Sequence, residues 1–234
     1  LHFNANPIIT YVLESDDKNE RKIFENDFNL EINIDKVHFD KIHYVKKLNG
    51  KLKIKNNNVV DANILAFYND AKNISFTIRT TDQGNKITTI FSSLAKPLVS
   101  RYKFINGFKD DKDGFLDFYS SKKNGVSTSK LIIDNFKVKE IPVLAKLLAL
   151  ASLQGIADLL TGEGIRFTDF EMNFTNENKV MRIQELYAIG PAISILLDGY
   201  IEDNKLISLR GTLVPATTIN RSIASIPLLG DLLI

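Results

Sequence analysis

The chain of 234 residues contains no cysteine and no tryptophan. Without thiols there is no disulfide, no thiolate metal ligand and no cysteine nucleophile. That absence does not by itself assign a compartment. Charge of one sign is also missing: 30 Lys and Arg against 28 Asp and Glu leave a net charge of +2, and the lysines are scattered, so a strong electrostatic drive toward nucleic acid is not expected. No apolar run is both long and free of charge, which argues against a firm transmembrane span. The start lacks the basic and apolar regions of a signal peptide, and the first residue is Leu1, so the chain reads as a piece of a longer or processed protein. Any anchor or export signal is then expected upstream. No low-complexity linker divides the chain. A boundary near residues 100–105 is conceivable, but the composition does not force one, and a single domain is expected.

Catalytic and metal constellations fail one by one. Of the three histidines, His2, His38 and His43, the latter two are five apart in a strand-like segment and should point to opposite faces, a poor geometry for a shared metal. No serine sits in a Gly-x-Ser-x-Gly elbow. The acidic run 110–114 resembles a calcium loop, but with Gly114 at the sixth place Lys109 falls at the first and Ser120 at the twelfth, so a polar turn is the better reading. Gly162-Glu163-Gly164 has neither Walker nor dinucleotide-loop spacing and reads as a helix stop. Phenylalanines fall beside aliphatics at period two, as in a core rather than a nucleic-acid platform. An enzyme, a metal site and a cofactor are therefore not expected.

Alternation of apolar and polar residues dominates instead. It is clear at Leu30–Asp35, around Leu52 and Ile54, at Ile74, Phe76 and Ile78, at Phe170, Met172 and Phe174, at Ile193, Ile195 and Leu197, and at Ile207, Leu209 and Leu213. Turn signals separate the runs at Asn49-Gly50, Gln83-Gly84-Asn85, Asp113-Gly114, Asn124-Gly125, Asn176-Glu177-Asn178 and Asp203-Asn204. The spacing predicts a mainly β chain, an antiparallel meander with a few helices. The strongest helix is expected from about Pro142 to Leu160, apolar around most of its circumference, with Leu144, Leu147, Leu148 and Ile156 packed on or capping the sheet. Read as a membrane span it is a few residues short and carries Lys146, Gln154 and Asp158. Weaker helices are expected over Phe91–Arg101 and Thr217–Ala224.

The last ninety-odd residues carry a resemblance. Asn135–Leu144 leads into the Leu-rich stretch with Ser152-Leu153-Gln154-Gly155-Ile156, and Leu160–Phe167 follows. Then come Ala188-Ile189-Gly190-Pro191-Ala192, Leu197–Ile201, Leu209–Ala216, Ile219-Asn220 and Ile226-Pro227-Leu228-Leu229-Gly230. In this order and spacing the stretches resemble the C-terminal region of the AsmA-like family, the group of AsmA, TamB and YhdP, and within it the YhdP-type branch. The specific part is 135–234; residues 1–134 are less distinctive.

The resemblance implies a periplasmic segment of a protein tethered to the inner membrane of a Gram-negative bacterium by a helix outside this chain. It implies a twisted antiparallel sheet curled into an open groove whose apolar inner face binds and transfers phospholipid toward the outer membrane. It carries over no cofactor and no catalytic residue, and it makes phospholipid, the membranes and an envelope protein the expected partners. The groove candidates are Ile74, Phe76, Ile78, Phe170, Met172, Phe174, Ile193, Ile195, Leu197, Ile207, Leu209 and Leu213, with Ile32 and Ile34 extending them. A lane of this kind holds a two-chain lipid because each buried methylene contributes about 0.8 kcal/mol. The same residues equally suit a packed core against the 142–160 helix. Gly211 and Pro215 suit strand curvature and termination. The competing expectation is a periplasmic scaffold that assists outer-membrane protein assembly through exposed strand edges.

Overall fold

A computed structural model describes residues 2–4, 26–56, 58–99, 114–139, 144–146, 148, 153, 155–156, 158, 162–202 and 206–216. Twelve strands form one sheet in which spatial order follows chain order: β1 (His2–Asn4), β2 (Phe28–His38), β3 (Tyr44–Lys55), β4 (Asn58–Phe67), β5 (Asn73–Thr80), β6 (Lys86–Ser92), β7 (Leu116–Lys123), β8 (Val126–Val138), β9 (Ile165–Glu177), β10 (Val180–Ile189), β11 (Ile193–Glu202) and β12 (Leu206–Pro215). β1 lies parallel to the end of β2, and every pairing from β2 to β12 is antiparallel. The mainly β meander expected from the alternation is thus present.

The two ends of the sheet are built differently. At one end the connections are tight. Asn124 and Gly125 turn with φ of 50° and 84°, and Asn178 and Lys179 with 47° and 67°. Two consecutive positive φ values give the twist that a two-residue hairpin needs, and Asn or Gly at the first or second place tolerates them most readily. Gly84 turns the β5–β6 hairpin at φ 77°. At the other end lie the short connections Phe39–His43, Tyr68–Lys72 and 190–192 and the two long ones, 93–115 and 139–164. The two long ones bring apolar helical residues back over the sheet.

Two turn readings need correction. Asn49-Gly50 does not reverse the chain; both residues lie inside β3, flanked by ladders to β2 and β4. The glycine gives Ile64 room rather than supplying a turn φ: a Cβ would stand 3.0 Å from Ile64 Cγ1, a contact the side chain would have to yield to. The reversal comes earlier, at Asp40, whose Oδ1 accepts the N–H groups of Ile42 and His43 at 2.7 and 2.6 Å. In the second case Asn176 and Glu177 continue β9, and the turn starts at Asn178. Gly114 has φ 88°, whereas Asp113 and the Asp203-Asn204 turn lie outside the described residues.

The expected long helix is not continuous. Leu144–Lys146 and Leu148 are helical, Leu153 is not, and Gly155, Ile156 and Asp158 are helical again. The ladder breaks there: the Leu153 N–H bonds the Leu148 carbonyl five residues back, and the Ile156 N–H bonds the Leu153 carbonyl three back. Gly155, the least favourable interior residue after proline, stands beside the break. Leu147 lies outside the described residues, as does Thr217–Ala224. Of the expected Phe91–Arg101 helix the described residues show α1 (Lys96–Val99), while Phe91 and Ser92 complete β6. Among the described residues no helix is long and apolar enough to cross a membrane.

The core follows from this asymmetry. Leu148, fully buried, and Val99 of α1 join Leu116, Ile133, Phe136, Val138, Ile165, Phe167, Ala188, Ile193 and Ile195 in the main cluster, with Leu144, Leu153 and Ile156 packed against it. Phe136 and Phe167 stack with centroids 5.5 Å apart, and Phe170 meets Phe136 edge-on at 6.0 Å. A smaller cluster of Val37, Val45 and Ala66 sits under the Phe39–His43 and Tyr68–Lys72 connections. Its neighbour Tyr68 bonds Ser92 through its hydroxyl at 2.9 Å, and burial pushes its pKa up to about 12.

Replacing Ile133, 2% exposed, by alanine should cost about 2–5 kcal/mol in denaturant unfolding, the usual price of an unfilled core site. The Asp40 turn should be pH-dependent. Partial burial pushes the Asp40 pKa up, but the His43 and Ile42 hydrogen bonds outweigh it and hold the folded pKa below the ordinary 3.8. Its contribution is therefore present above that value and is lost as pH falls through the lower, folded one. An NMR titration of the Asp40 carboxyl should show a midpoint below 3.8, which Asp40→Asn removes together with the turn's amide protection.

Candidate functional site

Period-two alternation sends one side of every strand to one face, and the strand register decides what stands beside what. On one face the pairings connect Ile32, Gly50, Ile64, Phe76, Ile90, Phe118, Leu131, Met172, Leu186, Leu197 and Gly211, one residue from each strand from β2 to β12. No polar side chain interrupts this row. Apart from Gly50, which is buried, and Gly211, which is exposed, its members are half-buried. Ile90, Phe118, Leu131 and Leu197 pack against the main cluster.

The row toward the long connections runs Ile74, Ser92, Leu116, Ile133, Phe170, Ala188, Ile195 and Leu213. It is mostly buried beneath Leu148 and α1. The row toward the tight turns runs Ala62, Ile78, Thr88, Ser120, Ser129, Phe174, Ile183, Gly199 and Leu209. Its centre is hydroxyl-bearing, and Ser129 donates to Ser120 at 2.9 Å. One rung further out Lys86 faces Lys122 directly across β6 and β7, flanked by Thr80 and Ser127. Burial, then the Lys122 charge, pull the Lys86 pKa down.

All the expected groove residues lie on this face, but they do not share one environment. Ile78, Phe174, Ile193 and Ile195 are buried and belong to the packed interior; Phe76, Met172 and Leu197 stand in the half-exposed row. Ile207 is 48% exposed near the tight-turn end, and Leu209 and Leu213 flank the row on β12. Leu144, Leu148 and Ile156 do cover one end of the face, from a broken rather than a continuous helix. Ile64, Ile90, Phe118, Leu131 and Leu186 were missed. Leu116-x-Phe118 and Leu131-x-Ile133 carry the same alternation and were legible; Leu186 was not, because the register shifts between Ile183 and Leu186 and breaks the period.

The opposite face is mixed: it exposes Leu65, Phe91, Ile189 and Leu196, and pairs several of its charges across strands. Lys130 Nζ lies 2.7 Å from Glu171 Oε1, the Tyr187 hydroxyl donates to Glu171 Oε2 at 3.0 Å, and Arg210 Nε lies 3.0 Å from Asp198 Oδ2. The Lys130 hydrogen bond outweighs slight burial and holds the Glu171 carboxyl below its ordinary range. No group of three or more His, Asp or Glu side chains able to hold a metal occurs among the described residues. His43 Nδ1 is engaged by Asp40 Oδ2 at 2.8 Å, and His38 packs on Tyr44 at 5.5 Å. A depression of about 160 Å³ between Phe28 and Ile54 is smaller than the roughly 300 Å³ of a ligand pocket.

Gly211 shows how closely β11 and β12 approach. A Cβ there would collide with the Leu196 carbonyl oxygen and stand 2.8 Å from Leu197 Cα. Gly211→Ala should loosen β12 by about 1–3 kcal/mol, the usual cost of overpacking, seen as faster hydrogen exchange of β12 amides with β5–β8 unchanged. Comparison of the chain with protein-family models, with curated proteins and with solved structures finds no match.

Proposed function

We propose that this chain is a segment of an AsmA-like envelope protein whose sheet curls into an open groove and binds phospholipid, passing it along the groove across the periplasm. In this proposal the inner-membrane tether lies outside the chain, and no chemistry is performed on the lipid. The observation that carries the reading is the row from Ile32 to Gly211: apolar, half-exposed and continuous over eleven strands. Adjacent strands lie about 4.8 Å apart, so ten steps give a lane of roughly 48 Å running across the strands. A core would bury such a row, and a solvated face would break it with charge. Acyl chains laid on it gain about 0.8 kcal/mol per buried methylene wherever they lie, so binding is favourable but not tied to one position.

A second reading has its own observation. Among the described residues β12 pairs on one side only, with β11, and its outer edge could accept a strand from an envelope protein under assembly. The two readings separate experimentally. The chain, purified without detergent, is expected to carry stoichiometric phospholipid in native mass spectrometry and lipid extraction. Phe118→Glu, at a half-exposed position of the row, should keep the circular dichroism of the parent and lose the lipid. Ile195→Asp is unsuitable, because Ile195 is only 7% exposed and a buried charge would unfold the chain. A folded, lipid-free parent would defeat the lipid reading and leave strand addition at β12 as the better account.

A further inference from the structure

Resting on the lipid reading above, we propose that Lys86 and Lys122, facing each other at the tight-turn end of the apolar face, form a docking site for the phosphate of an anionic phospholipid. Three observations place it. First, alternation along β6 and β7 sets Lys86 on the face of Thr88 and Ile90, and Lys122 on that of Ser120 and Phe118. Both ammonium groups therefore share the face of the lane and lie off its side. Second, their charge is not matched among the described residues: no carboxylate there is within salt-bridge distance of either lysine, although Lys130, Lys51 and Arg210 on the opposite face each have one. Like charges directly opposed across a ladder are destabilising, and an anion between them reverses the sign of that term. Third, the surrounding groups can bond a phosphate: Thr88, Ser120 and Ser127 present hydroxyls on the same face.

The arrangement matches an amphiphile from end to end. Four residues separate Lys86 from Ile90 on β6, roughly 13 Å of strand. Over that distance the face passes from ammonium through hydroxyl to hydrocarbon, and beyond it Leu148 and α1 close the apolar end. A phosphate held at the lysines leaves its acyl chains lying on Ile90, Phe118 and Leu131. A lipid whose head group is zwitterionic brings a cation of its own to this site and gains less than one with net negative charge.

The test compares short-chain phosphatidylglycerol with phosphatidylcholine of the same chain length, titrated below their micelle concentrations into the parent chain and into Lys86→Gln/Lys122→Gln. The parent should bind the anionic lipid about tenfold more tightly, with an affinity that falls as salt rises. The double variant should keep its fold, lose far less affinity for phosphatidylcholine than for phosphatidylglycerol, and lose both the preference and the salt dependence. Lys86→Arg/Lys122→Arg should keep the preference. If the double variant does not fold, Lys122→Gln alone, at an exposed position, should still reduce the preference several-fold. A preference that survives removal of the lysines, or an equal loss of both lipids in a folded variant, overturns the proposal. Inorganic phosphate competing as well as the lipid would show a plain anion site and overturn it too. A parent that binds neither lipid defeats the underlying lipid reading instead, a distinguishable outcome.

Discussion

The structure depends on the burial of one end of one sheet face. A sheet with every strand beside its chain neighbour has no second sheet to pack on, and its apolar face must be covered by whatever the connections provide. Here the two long connections lie at one end and return Val99, Leu144, Leu148 and Ile156 over Leu116, Ile133 and Ile195. The stacked Phe136 and Phe167 complete that end. At the other end the hairpins turn in two to five residues, too few to fold back over the sheet.

A gradient is present on β7, from buried Leu116 through half-buried Phe118 and Ser120 to exposed Lys122, whereas on β5, β8, β9 and β10 the row beyond the half-buried one is buried again at Ile78, Ser129, Phe174 and Ile183. The half-buried row is an apolar lane at right angles to the strands, and its outer limit across β5 to β8 is polar, at Thr80, Lys86, Lys122 and Ser127.

Charge reinforces the distinction between faces. On the face opposite the lane cross-strand partners neutralise one another, Lys130 with Glu171 and Arg210 with Asp198, and these exposed pairs contribute specificity of register more than stability. On the apolar face the two opposed lysines have no such partner among the described residues. The same ladder geometry that stabilises one face leaves an electrostatic demand on the other, next to the lane that an amphiphile would occupy.

Local alternation was sufficient to show a mainly β chain and to bring Phe76, Met172 and Leu197 onto one face, because the side-chain period of a strand is a property of the backbone and needs no partner. Asn124-Gly125 was legible for the same reason, its positive φ values being a local preference. Other features depended on neighbours. Asn49-Gly50 has the composition of a turn, yet ladders on both sides of β3 hold it extended, and its glycine answers to Ile64 across the sheet. The apolar 142–160 stretch has the composition of a helix, and the break at Leu153 appears only in its hydrogen bonds. The division of one alternating pattern into buried Ile195 and half-exposed Leu197 was likewise invisible, since both satisfy the same period and differ only in what the connections lay over them. The opposition of Lys86 and Lys122 is a matter of register, which pairs residues far apart in the chain and is decided by the tertiary structure alone.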